Sequence, residues 1–290
     1  MNSQTLEWLL SPAALALFGL CIGSFLNVVV HRLPVMMERQ WRQDSADMLG
    51  IDPVPPAPGD DGRPLGLARP RSRCPKCGHV LRWHENIPLL GWLRLGGRCS
   101  ACRTPISPRY PLVELGCALL FAAIGWRFGA EPQTLLWCGF AATLLAASLI
   151  DWDTTLLPDS MTQPLAWAGL LGALLGWLPL SPEQALWGAV GGYMSLWSIS
   201  QLFRLVTGRE GMGAGDFKLL AALGAWLGPA MLLPIVLGAS VIGAIVGIGM
   251  KLAATLREGR YVPFGPFLAG GALVVMLAGS ARVLGWMGWA

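Results

Sequence analysis

Charge is the scarcest commodity in this 290-residue chain: Asp, Glu, Lys and Arg make up only 13% of it. A soluble domain carries about 25%, so an ordinary water-soluble fold is excluded at the outset. A disulfide frame is also missing. Of the seven cysteines, four are spaced as metal ligands, and Cys21, Cys117 and Cys138 sit inside apolar runs. No G-x-G-x-x-G lies between a strand and a helix, which removes the usual dinucleotide fingerprint. No internal repeat is visible, so inverted-repeat transporter symmetry has no basis. The net charge of +4 is too modest to argue for a nucleic-acid partner, and nothing else does. No basic residue precedes the first apolar run, and Glu7 does, which is not the pattern of a cleavable signal peptide.

What the chain does have is apolar length. It is 54% hydrophobic, with 14 Trp and 37 Gly, as suits membrane helices and their interfaces. Leu9 to Val30 is uncharged and long enough to span. Further apolar segments fall near 111–128, 134–150, 161–179, 184–203, 217–229, 231–250 and 264–288. The fold class expected is therefore an all-α polytopic membrane protein of about eight transmembrane helices. Gly228-Pro229-Ala230 is either a tight turn between two helices or a kink inside one.

Between the first and second spans the composition changes. Residues 31–109 hold 13 of the 21 Lys and Arg residues. Met36 to Leu49 reads as a short amphipathic surface helix, Asp52 to Pro70 as a loop or linker rich in Pro, Gly and Asp, and 71–108 as a compact cysteine-built module. Charge sets the orientation. With the amino terminus outside, the loops 31–109, 151–160, 204–216 and 251–263 lie inside and carry nearly all the positive charge, leaving Arg127 and Arg282 outside. The expected division is a first transmembrane helix (1–30), a cytosolic loop (31–109) and a membrane core of about seven helices (110–290).

Cys74-Pro75-Lys76-Cys77 and Cys99-Ser100-Ala101-Cys102 are two C-x-x-C turns separated by 21 residues. Four thiolates suit a closed tetrahedral structural zinc site. Gly78 and Gly97 stand where such knuckles need loose backbone. The competing reading, redox pairs or disulfides, is disfavoured in a cytosolic loop without a βαβ pattern. His79 and His84 are spare donors, read as ordinary surface residues.

Acidic residues mark a second centre. Asp151, Asp153, Asp159, Glu210 and Asp216 fall in two inside loops. Asp151 ends an apolar segment. Asp216 follows the alternating glycines of Gly211-Met212-Gly213-Ala214-Gly215 and opens another. An ionisable group at the mouth of an apolar segment is costly and marks a functional site. Paired carboxylates there would share a proton and could act as general acid and base. The bland alternative is that each caps a helix or pairs with Lys218 or Arg209. Asp159, after Pro158, reads as the cap of the next helix.

Four motifs together resemble the bacterial type IV prepilin peptidases, which are also amino-terminal N-methyltransferases. They are Gly23-Ser24-Phe25-Leu26-Asn27 through His31-Arg32-Leu33-Pro34; the C-x-x-C pairs followed by Arg109-Tyr110-Pro111-Leu112-Val113-Glu114; Asp151 through Pro158-Asp159; and Gly213-Ala214-Gly215-Asp216, similar to the GxGD motif of aspartic membrane proteases. The match runs through the chain in order. The resemblance implies Asp151 and Asp216 as the catalytic pair. It implies cleavage of a prepilin or pseudopilin leader after a glycine, at the cytosolic face of a bacterial inner membrane. Methylation of the new amino terminus with S-adenosylmethionine would follow. Gly213 and Gly215 are then expected to face the unwound substrate. The residues that would bind the cofactor are unknown; Glu114 is no more than a candidate, against the plainer reading of a pair with an arginine such as Arg109. A peptidase without methyl transfer, and a transporter relaying protons or ions through inner-face acids, are the alternatives.

Overall fold

The structure, a computed structural model, describes residues 3–52, 65–253 and 262–289. Most of the expected linker, and Arg63, Arg257 and Arg260 with it, lies outside the described residues. Among the described residues the chain is all-helical, with no strand and only two isolated β-bridges. It forms two compact units, Met1–Ala130 and Glu131–Ala290.

The first unit contains α1 (Ser3–Leu9), α2 (Pro12–Leu49), α3 (Leu90–Arg94) and α4 (Arg109–Phe128). Ser11 starts α2, its hydroxyl accepting the Ala14 N–H at 3.3 Å, with Pro12 at the first helical position. The sequence predicts a break after the first span and a separate surface helix over Met36–Leu49. Instead α2 runs unbroken for 38 residues with Pro34 inside it. Pro34 removes one backbone hydrogen bond, but the Leu, Met, Glu, Arg and Gln residues around it favour helix enough to carry it through. At 1.5 Å per residue α2 is about 57 Å long, nearly twice the ~30 Å hydrocarbon thickness. Gly19 and Gly23 lie against α4: a Cβ on Gly19 would stand 2.8 Å from the Ala118 Cα, and one on Gly23 2.7 Å from the Glu114 Cα. This small-xxx-small contact lets two helices meet backbone to backbone.

The second unit contains α5 (Thr134–Thr154), α6 (Asp159–Leu174), α7 (Pro182–Thr207), α8 (Ala214–Leu227), α9 (Leu232–Leu252), α10 (Gly265–Ala278) and α11 (Ser280–Trp286). Gly188 of α7 and Gly224 of α8 touch directly, and Gly192 sits over the Leu220 carbonyl. Trp226 on α8 is buried, donates its indole N–H to the Leu165 carbonyl of α6 at 2.7 Å, and packs 4.7 Å from the Phe140 ring of α5. A buried indole thus spends its polar atom on a neighbouring helix while its rings fill the core.

Helix falls on every apolar segment the sequence predicts. Among the described residues, four helical stretches are long and apolar enough to cross a membrane: Pro12–Leu49, Arg109–Phe128, Thr134–Thr154 and Pro229–Leu252. The last expected segment, 264–288, is not one helix: α10 and α11 meet at 110° across Gly279 and together make a fifth candidate. At 14 residues, α8 is only about 21 Å long, short of the hydrocarbon thickness on its own. Gly228, with φ of 82°, and a 3-10 turn at Pro229–Met231 separate α8 from α9, so this point is a turn between two helices.

Candidate active site

Asp151 lies near the end of α5, where Thr155, at φ of 57°, ends the helix and donates its N–H to the Asp151 carbonyl at 2.7 Å. The Asp151 side chain is turned inward; the residue is only 4% exposed. Its Oδ2 accepts the backbone N–H of Gly265, the first residue of α10, at 3.0 Å. Asp216 stands in the first turn of α8, half-buried, its N–H directed to the Gly213 carbonyl at 3.3 Å. A carboxylate is favoured there by the exposed amides of the helix start. Leu157 lies against both Gly215, which precedes Asp216, and Gly265, whose N–H holds Asp151, so the two carboxyl-bearing helix ends share one neighbour.

The bland pairings go elsewhere. Lys218 reaches Asp159, with Nζ 2.7 Å from both carboxylate oxygens. Asp159 is therefore not the cap the sequence predicts: the cap position of α6 is Pro158, and Asp159 is the first helical residue, tied across to α8. A proline supplies the extended backbone a helix start needs, and this leaves the Asp159 side chain free to bridge.

The glycines before Asp216 differ from one another. Gly213 is exposed, with open space where a side chain would go. Gly215 is covered by Leu157, whose Cβ would lie 2.8 Å from an added Cβ. Gly265 was not singled out by the sequence. Its only signal there is a glycine between Pro263-Phe264 and Pro266 at the start of an apolar segment, which marks a helix start but not what that start faces.

In the first unit, the Sγ atoms of Cys74, Cys77, Cys99 and Cys102 all lie within 4.8 Å of one another, with Cys74–Cys102 at 3.8 Å and Cys77–Cys99 at 3.9 Å. Four sulfurs about 2.3 Å from a zinc ion stand about 3.8 Å apart, so the cluster fits that ion. No disulfide links them. The two knuckles match: Cys74 donates its N–H to the His79 carbonyl and Cys99 to the Thr104 carbonyl, both at 2.9 Å. Their left-handed residues are Gly78, at φ of 72°, and Arg103, at φ of 60°. Gly97, just before the second knuckle, is also left-handed at φ of 65°, as expected from the sequence, while Arg103 holds the turn itself. Backbone amides of Cys77 and Lys76 lower the Cys74 thiol. Thr104, through its hydroxyl and its amide, brings Cys102 down to about 6. Cys77 is favoured as thiolate by the His79 amide, yet burial and the surrounding sulfurs push it up to about 12. A set of thiols that cannot all ionise together is what a divalent cation relieves.

His79 is not an idle surface residue. Its Nε2 lies 3.1 Å from Glu85 Oε2 and 3.2 Å from Ser100 Oγ. Glu85 also accepts the Arg82 N–H at 2.7 Å. That amide, then Ser100, then His79 hold the Glu85 carboxyl down at about 2. Glu114 is buried in α4 and accepts the Leu89 N–H at 2.7 Å.

Fold and sites together define a helical membrane protein with a four-thiol cluster able to hold a metal and two carboxylates at the ends of apolar helices. Residues 17–128 match the bacterial peptidase A24 N-terminal domain, and residues 138–248 match the type IV leader peptidase family. The chain belongs to the type IV leader peptidase family. It is 50% identical over 262 residues to the prepilin leader peptidase/N-methyltransferase of Stutzerimonas stutzeri, covering 90% of this chain and 89% of the relative. The proteins of the same name from Pseudomonas aeruginosa and Aeromonas hydrophila are 49% and 48% identical, over 91% of this chain and 89% and 90% of theirs. No solved structure matches.

Proposed function

We propose that this protein is a bifunctional membrane enzyme that cleaves the leader of type IV prepilins and related pseudopilins, then N-methylates the new amino terminus. The observation that carries the peptidase half is the burial of Asp151 at the start of α10, with Leu157 joining that helix start to the start of α8, where Asp216 stands. Two carboxyls so placed share one proton. One carboxylate takes a proton from water, whose oxygen attacks the scissile carbonyl. The other carboxyl gives its proton to the carbonyl oxygen. The C–N bond then breaks and the nitrogen takes a proton, leaving the leader as a carboxylic acid and the pilin with a free amine. When bound, S-adenosylmethionine would give this amine a methyl group from its sulfonium, which leaves as the neutral thioether, while the amine loses a proton.

Around that chemistry the eight apolar segments of the sequence serve as eight spans, the short α8 among them, with the amino terminus outside and the dyad at the cytosolic face of a bacterial inner membrane. Residues 1–30 form the first span, 31–109 the cytosolic loop and 110–290 the peptidase core. Cys74, Cys77, Cys99 and Cys102 hold a structural zinc; four protein ligands leave it no open position for catalysis. The substrate is a short basic leader joined to an apolar helix, held from the bilayer and unwound at its end. Gly213 offers the open backbone against which that segment lies, while Gly215, packed on Leu157, seats Asp216 beside it.

Asp151→Asn and Asp216→Asn each keep shape and remove a proton carrier. Each is expected to lower prepilin cleavage by about 10²–10⁴-fold, in a protein that still methylates an already cleaved pilin. Mass spectrometry of the product amino terminus reads both activities. Normal cleavage by either variant removes the dyad; no methyl on the product of the wild type leaves a peptidase alone.

A further inference from the structure

Among the described residues, the Asp151 carboxylate has one hydrogen bond, and it comes from the first amide of another helix. Gly265 opens α10, and its N–H meets Asp151 Oδ2 at 3.0 Å in a buried setting. The first amides of a helix have no partner within it, and they carry the positive end of its dipole. A buried amide of this kind needs an acceptor, and Asp151 is the acceptor. The contact also depends on what Gly265 lacks. A Cβ there would stand 2.5 Å from Asp151 Oδ2, 3.0 Å from Leu157 Cδ1 and 3.3 Å from Asp151 Cγ. Gly265 is not among the glycines in the left-handed region, so space and not backbone conformation demands the glycine.

Leu157 completes the arrangement. It leaves the loop after α5 and lies against Gly265 on one side and Gly215 on the other. Gly215 directly precedes Asp216. One leucine therefore spaces the start of α8 from the start of α10, and each of the two helix starts holds one member of the carboxylate pair.

We propose that Gly265 is a positioning residue for the peptidase. Its amide anchors Asp151 Oδ2, and its missing side chain lets α10 approach closely enough for that anchor to aim the carboxylate at Asp216. This rests on the dyad assigned above. Gly265→Ala in the full-length enzyme tests it against Gly270→Ala, the same change on the same helix where a Cβ meets open space. For Gly265→Ala the kcat of prepilin cleavage is expected to fall by about 10²-fold, with KM unchanged and methylation of a cleaved pilin retained. Gly270→Ala is expected to match the wild type. A wild-type kcat in Gly265→Ala, or a raised KM at unchanged kcat, overturns the proposal.

A thermal double-mutant cycle with Asp151→Ala reads the contact without any activity. The melting shift caused by Gly265→Ala is expected to shrink when Asp151 is already alanine, because the atom it strikes is gone. Equal shifts in both backgrounds overturn the proposal. If Gly265→Ala alone fails to fold, recovery of the fold in the double variant supports it, and failure of both variants overturns it. Cleavage surviving Asp151→Asn would instead sink the dyad, while a coupling measured between Gly265 and Asp151 would still stand.

Discussion

Single residues do most where they satisfy a partner that water cannot reach. Lys218 and Asp159 form a close pair, yet their side chains are 32% and 51% exposed. Exposed pairs contribute about 0–1 kcal/mol. The value of this one lies in direction: it occupies the cation two residues after Asp216, so that Lys218 is turned to Asp159 and not to Asp216. Glu85 is the opposite case, with a side chain only 7% exposed and three donors around it. Its carboxyl is lowered from the ordinary 4.5 to about 2, with the Arg82 amide as the largest cause. A depressed acid stabilises the fold in full above its unfolded value, and that gain is lost as pH falls through the folded one. Glu85→Gln is therefore expected to release zinc at a lower temperature than the wild type, by a margin that stays constant between about pH 6 and 8. The margin closes only in acid below the ordinary carboxylate range. Thermal melts followed with a zinc-responsive dye check this; a margin that varies between about pH 6 and 8 would transfer the role to the His79 ring.

At the scale of elements, the helices of the second unit are held by absences of side chain. Gly188 and Gly224 touch, so any Cβ on one enters the backbone of the other. Overpacking of this kind costs about 1–3 kcal/mol. Gly139, inside α5, has open space above it, and there Gly to Ala gains about 0.8–1.0 kcal/mol of helix propensity. Gly188→Ala is expected to lower the unfolding midpoint in detergent by several degrees and Gly139→Ala to hold or raise it. Equal shifts would mean that α7 and α8 do not meet at these glycines. None of this contact geometry was legible in the sequence, because a glycine under a helix and a glycine facing lipid look alike in a string. The apolar segments were legible from length, and Asp151 and Asp216 from charge placed at segment ends. The continuity of α2 through Pro34 and the bend at Gly279 were not. A proline is tolerated or not according to its neighbours, and a single glycine breaks a helix only when packing turns the chain there. Gly265 escaped notice for the same reason: its role is defined by Asp151, more than a hundred residues earlier.

At the scale of the molecule, the two chemistries fall in separate compact units. The thiol cluster lies within Met1–Ala130, the carboxylate pair within Glu131–Ala290. The first unit is mostly helix except around the four cysteines, and there regular structure is nearly absent: two isolated bridges, one 3-10 turn and one five-residue helix carry residues 71–108. So little hydrogen-bonded backbone and so few buried side chains cannot repay the entropy of ordering a loop of that length. A zinc ion held by the four thiols would supply the difference, as in other small zinc modules whose binding energy is their folding energy. Cys74→Ser with Cys77→Ser, or prolonged chelation, is therefore expected to remove about one zinc per chain and to make residues 71–108 protease-sensitive. The core holding Asp151 and Asp216 should keep its melting transition, since its packing at Trp226, Phe140 and the Gly188–Gly224 contact uses no residue of the loop. Limited proteolysis with metal analysis reads the first effect and calorimetry the second. A loop that stays protected without metal would return the cysteines to a redox role.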